Sequence, residues 1–261
     1  MSLFPRRIVC LTEEAVEILF ALGEGHRIVG VSAYVERPEE AKALPKVTAF
    51  VSGHIKKIVD LRPDLVIGFS DIQKDLARDL IEQGLNVFIA NHRSLDEILD
   101  YTLMIGRLVG AQDRAEEYVK ELKEKIEQAL RFSSSLKARP RIYIEEWDEP
   151  MIAGIHWFNE IVELCGGELI FPNSELGPMA KDRYIQSQDV IERNPDIILA
   201  CWCGKKVNVS HIKEREGWSI INAVRDDKIY ELKPEIFLQP GPAPIISGID
   251  ILLELVRSNI S

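Results

Sequence analysis

With 261 residues the chain can form one large domain or two small ones, and 46% hydrophobic with 28% charged residues excludes a disordered or low-complexity protein. A formal net charge of -10 argues against a nucleic-acid surface, which needs clustered Lys and Arg to meet phosphates. No apolar run approaches the ~20 residues of a membrane span, so membrane insertion is not expected.

Residues 7–11 read as a buried strand, and Thr12, Glu13 and Glu14 as the start of a helix whose apolar face is Val16, Leu19 and Phe20. Gly23 ends that helix. A strand over 28–32, a short helix over 55–59 before Pro63, a strand over 64–69, a helix over 75–83 and a strand over 86–89 follow. Alternating strands and helices imply a parallel sheet covered on both faces. From Ser94 the chain turns helical, with one helix ending near Gly110 and a long one over 113–132. Ala115, Val119, Leu122, Ile126 and Leu130 recur at helical spacing on the long one, and Glu121 with Lys125 and Lys123 with Glu127 are spaced to pair.

A new strand over 141–144 restarts the alternation. Leu61, Arg62, Pro63 and Asp64 before one strand are echoed by Arg193, Asn194, Pro195 and Asp196 before another, over 197–200. The expected architecture is therefore α/β, with two lobes, each a small mainly parallel sheet flanked by helices, joined by one long backbone helix. The N-terminal lobe spans residues 1–93, the linking helices 94–139 and the C-terminal lobe 140–261. The start, Met1 to Arg7, shows no h-region or cleavage site, and Cys10, Cys165, Cys201 and Cys203 follow no framework spacing. Both features predict a cytoplasmic protein, with a periplasmic or cell-surface location as the alternative if a signal has been removed.

The run from Leu11 to Gly23, then Val29 to Tyr34, Ile58 to Val66, Val162 to Gly167 and Asn194 to Ile198 resembles, in this order, the helical-backbone periplasmic binding proteins for vitamin B12, haem and iron siderophores. The resemblance covers nearly the whole chain. It implies a binding protein and not an enzyme, one that holds a corrinoid (cobalamin-like) or related metal chelate in the cleft between the lobes as carrier, store or receptor. A conventional ABC-importer protein for an iron siderophore or haem is the alternative. By position, Tyr34, Phe50 and Phe69 would supply one wall and Trp147, Glu235 and Phe237 the other. Trp157, Trp202 and Gln239 are further candidates from this chain's own rings and amides, because rigid rings bury much area at small entropic cost. Members that deliver to an importer resemble one another in a glutamate near a helix start on each lobe, which meets arginines of the membrane subunits. The matching positions here are Lys56 and Gln188, which disfavours such docking.

Some motifs have plainer readings beside the functional ones. Glu145, Glu146, Trp147, Asp148 and Glu149 form a ligand wall or a set of solvated loop charges, with Trp147 the residue expected to touch ligand. An enzyme using Glu146, Asp148 and His156 is the remaining alternative, but no nucleophile elbow or phosphate loop supports it. His156 could contact the ligand or its metal, although a lone histidine is more often structural. Cys203, beside Lys205 and Lys206, is a weak metal candidate, and Cys201 a buried small hydrophobe. Lys205 and Lys206 could reach a phosphate or carboxylate of the ligand. No protein-bound metal is expected.

Overall fold

The computed structural model describes residues 3–49 and 52–260. The chain divides into two compact units. The first runs through Leu122 and takes in Pro240–Pro242, and the second holds Lys123–Gln239 and the chain from Ala243.

The first unit contains β1 (Ile8–Cys10), α1 (Glu13–Ala21), β2 (Ile28–Ser32), β3 (Lys46–Ala49), β4 (Ser52–Gly53), α2 (Ile55–Asp60), β5 (Leu65–Phe69), α3 (Lys74–Glu82), β6 (Val87–Ala90) and α4 (Leu95–Val109). The strand order is β4-β3-β2-β1-β5-β6, and every pairing except β3 with β4 is parallel. Alternation along β1 explains its wholly apolar sequence. Ile8 and Cys10 join one core with Val16 of α1 and Ile105 of α4, while Val9 joins another with Ile58, Leu76 and Leu80.

The long helix α5 (Gln112–Ser134) follows, and the division between the units falls within it, after Leu122. Its buried positions are Ala115, Val119, Leu122, Ala129 and Ser133, whereas Leu130 is 48% exposed. The predicted stripe thus fails at its last member. Steps of three and four residues along a 3.6-residue period carry the buried face from Leu122 through Ala129, leaving Leu130 turned outward. Lys125 pairs with Asp250 at 2.7 Å and not along its own helix.

The second unit contains β7 (Arg141–Asp148), β8 (Met151–Ala153), α6 (His156–Leu164), β9 (Glu168–Leu169), α7 (Ser187–Arg193), β10 (Ile197–Ala200), α8 (Val209–Lys213), α9 (Asn222–Arg225), β11 (Ile229–Glu231), α10 (Pro234–Phe237) and α11 (Ile249–Asn259). Its sheet runs β11-β10-β7-β8, with β9 beside the start of β7. Strand β7 extends four residues beyond the predicted end because β8 turns back antiparallel, setting Trp147 opposite Ile152 and Asp148 opposite Met151. The acidic cluster therefore lies mostly in a strand, not a loop.

The repeated Pro-Asp sequence builds the same junction twice. Arg62 and Asn194 both take positive φ, 49° and 40°, which ends the preceding helix. Asp64 then accepts the backbone N–H groups of Arg6 and Arg7 at 2.8 and 2.9 Å, and Asp196 accepts that of Arg141 at 3.0 Å. Each aspartate ties its own strand to the first strand of its sheet, β1 or β7.

Candidate functional site

In both sheets the first strand is where the chain order reverses, β1 between β2 and β5 and β7 between β8 and β10. Ligands of open α/β sheets sit beyond the carboxyl ends of strands at such points. At the end of β7 lie Glu145 to Asp148, and beyond β10 lie Trp202, Cys203 and Lys205.

Glu145 is fully buried and accepts four donors. Trp202 Nε1 at 3.1 Å and Arg215 Nη2 at 3.0 Å reach Oε1, while Tyr143 Oη at 3.2 Å and Arg215 Nη1 reach Oε2. A buried carboxylate is tolerated only when its lone pairs are met this completely. Burial, and then the Glu145 charge, push the Tyr143 phenol well above its ordinary range. Burial works against the charge on Arg215, but Glu145 outweighs it and raises the guanidinium further. Next along the strand, Glu146 pairs with buried Arg183, which also donates to the Ala153 carbonyl. Asp148 then holds Lys205 Nζ at 2.5 Å. Burial opposes ionisation of Asp148, yet the hydrogen bond from Lys205 prevails and holds its carboxyl below the usual range. The Lys205 ammonium lies 4.2 Å from the Trp147 ring centroid and 4.8 Å from that of Trp202. Trp147 is half-buried and donates to the Glu149 carbonyl at 2.9 Å.

The corresponding end of β1 is a closed polar cluster. Thr12 donates to Glu14 Oε1 at 2.5 Å, while Glu14 Oε2, the Tyr101 hydroxyl and His92 Nδ1 are buried without a hydrogen-bond partner among the described residues. His92 stacks on Tyr101 at 4.2 Å, meets Phe69 edge-on at 5.1 Å and donates through Nε2 to the Pro240 carbonyl. Burial pushes the Glu14 carboxyl up to about 8 and the His92 imidazole down to about 4. Both groups are held neutral at pH 7.

The structure sorts the predicted residues by exposure. Tyr34 is 56% exposed, and Trp147, His156, Glu235 and Gln239 are half-buried. Phe69, Trp157, Trp202 and Phe237 are buried instead: Trp157 donates to the Phe237 carbonyl at 3.0 Å, and Phe237 stacks on Phe158 at 4.8 Å. Those rings belong to the cores and do not form an open wall. Phe50 lies outside the described residues. His156 pairs with Glu160 at 3.2 Å. Glu146, Asp148 and His156, grouped above as a catalytic alternative, are thus committed to three different partners. Cys203 is exposed. Among the described residues no group of three or more His, Cys, Asp or Glu could hold a metal ion. Lys56 and Gln188 are both exposed and occupy the second positions of α2 and α7, bonded to Asp60 and Glu192 one turn on. Arg183 and Arg215 did not emerge from the sequence, because their carboxylates lie 37 and 70 residues away.

Two switch-point sheets, each with a structured polar frame at its carboxyl edge, define an α/β binding protein. The periplasmic binding protein family model matches residues 8–236, and the chain belongs to that family. The chain is 27% identical to the ABC transporter substrate-binding lipoprotein YvrC of Bacillus subtilis (strain 168), over 97% of its own length and 80% of that protein's. It is 26% identical to the vitamin B12-binding protein of Vibrio cholerae, over 92% of this chain and 85% of that one. Among solved structures, a periplasmic heme binding protein from Pseudomonas aeruginosa has a TM-score of 0.85 at 16% identity, covering 99% of this chain and 95% of that one. Vitamin B12 binding protein BtuF of Vibrio cholerae has a TM-score of 0.77 at 23% identity, covering 98% of each. These two likenesses establish the fold.

The cytoplasmic expectation is overturned, since the chain belongs to the periplasmic binding protein family and is similar to a substrate-binding lipoprotein. The cysteines misled for a physical reason. Cys10, Cys165 and Cys201 are buried, and burial raises all three thiols, that of Cys165 to about 12. They report packing, not a redox compartment.

Proposed function

We propose that this chain is the substrate-binding component of an ABC-importer-type system and captures a corrinoid-class metal chelate, with cobalamin as the reference ligand. Kinship with vitamin B12-binding proteins over 92% of the chain carries the reading. The polar frame of the second unit supports it. A flat macrocycle gains most from a ring already fixed in place, and Trp147 is fixed by its own hydrogen bond and by the Lys205 ammonium. Trp147, His156, Glu235 and Gln239 of the second unit are the proposed contacts. The metal arrives with the chelate, and the chain recognises the chelate's faces and edges. Lys56 and Gln188 weaken docking on membrane subunits that present arginines.

Hydroxocobalamin mixed with the purified chain should change its visible spectrum and co-elute on a sizing column. Haemin run in parallel separates the ligand classes: retention of haemin without cobalamin moves the reading to haem, and retention of neither ends it.

A further inference from the structure

The acidic strand end and the two-lysine turn beyond β10 meet at one point, Lys205. Its ion pair with Asp148 is unequal in burial, with the carboxylate side chain 9% exposed and the lysine side chain 40%. The negative partner therefore lies inside and the positive one outside, so the pair presents positive charge to solvent on a chain whose net charge is -10. An ammonium has three donors, and Asp148 accepts from one of them. The two indoles hold the ammonium by cation–π attraction. Trp202 is itself pinned by Glu145, which Arg215 neutralises. A surface lysine ordinarily loses rotamer freedom when it grips a ligand, and this one is ordered beforehand. Lys206 beside it is exposed and adds to the local positive field.

The geometry points to Lys205 as an anion-recognition residue of the second unit, its remaining ammonium donors taking a carboxylate or phosphodiester oxygen at the edge of the bound chelate. This inference rests on the binding function proposed above and names the chemistry that function selects. The competing role is a purely structural one, in which the Asp148–Lys205 pair only steadies Trp147.

The test uses the full chain and two pairs of probes: haemin with its dimethyl ester, and hydroxocobalamin with cobinamide, which lacks the phosphodiester tail. Visible titration gives Kd for the wild type, Lys205→Met, Lys205→Arg and Lys213→Met, the last removing a surface pair with Asp227. Lys205→Met should weaken the anionic member of one pair by about tenfold or more, the size of one charge-assisted hydrogen bond, and change its partner little. Lys205→Arg should recover most of the loss, and Lys213→Met should match the wild type. A loss confined to the haemin pair identifies a carboxylate, and one confined to the corrinoid pair a phosphodiester. Equal loss on both members of each pair, or no loss, overturns the anion role and leaves the binding reading intact. A wild type that binds none of the four probes overturns both.

Discussion

Arg215 and Glu145 form a two-point ion pair inside the second unit, joining residues 70 positions apart with the carboxylate fully buried. Breaking such a pair from one side leaves an uncompensated buried charge, which costs about 3–5 kcal/mol. Arg215→Met should therefore lower the urea midpoint sharply. The double variant Arg215→Met with Glu145→Gln should regain part of the loss, because no charge is left behind. An Arg215→Met midpoint close to wild type would show that Tyr143 and Trp202 suffice to carry the carboxylate.

Gly241 lies against α1. A Cβ built on it would fall 2.7 Å from Glu14 Cβ, closer than real Cβ contacts come, and a tight 3.1 Å from the backbone atom Glu14 Cα. Gly241→Ala should destabilise the first unit by about 1–3 kcal/mol, the usual range for overpacking. The expected readout is a melting temperature lower by several degrees. An unchanged melt would mean that the Pro240–Pro242 segment shifts freely, against the hydrogen bond His92 makes to Pro240.

Period and punctuation made much of the fold legible. Ile197 to Ala200 is a strand with the expected ends, and the Pro-Asp repeat marked two junctions built alike. Lys56 and Gln188 occupy the second positions of α2 and α7. Which rings stay open was not legible, because that depends on partners far along the chain: Trp157 is committed to Phe237 80 residues on, and Trp202 to Glu145 57 residues back. The same holds for the acidic cluster. Local composition suggested solvated charges, yet Arg183, Lys205 and Arg215 each claim one carboxylate. Glu14 looked like an ordinary first-turn acid, and only the folded chain buries it, close enough to Tyr101 to help raise that phenol.

That burial sets a pH dependence for the first unit. The Glu14 carboxyl rises from 4.5 to about 8, chiefly through burial, so between those values the folded state holds a proton that the unfolded state releases. Its contribution is complete below pH 4.5 and is lost as pH rises through 8. His92 falls from 6.5 to about 4, again chiefly through burial, so its contribution is present above 6.5 and lost as pH falls through 4. The two slopes oppose each other between 4.5 and 6.5, and Glu14 acts alone from 6.5 to 8. Over that last interval its share should decline by about 2 kcal/mol, at about 1.36 kcal/mol per pH unit. Urea titrations at pH 6.5 and 8 should show the decline in wild type and much less of it in Glu14→Gln. Equal declines in both would place the titration elsewhere.

Lys56 and Gln188 allow a separate test of the partner. Each is exposed at the second position of its helix and bonds to a residue one turn on, so replacing both with glutamate touches no core. Stability should fall by no more than about 1 kcal/mol, because each new carboxylate faces Asp60 or Glu192 one turn on. Docking should change much more. If the membrane subunits present arginines, Lys56→Glu removes a repulsion and each new carboxylate gains a charge partner, so affinity should rise by about tenfold or more for the pair. The measurement is binding of wild type and double variant to a reconstituted vitamin B12-type permease at low and physiological salt. The gain should shrink as salt rises, since exposed charge pairs are screened over about 8–10 Å. If the wild type already binds such a permease tightly, and the double variant no better, the two positions do not govern docking.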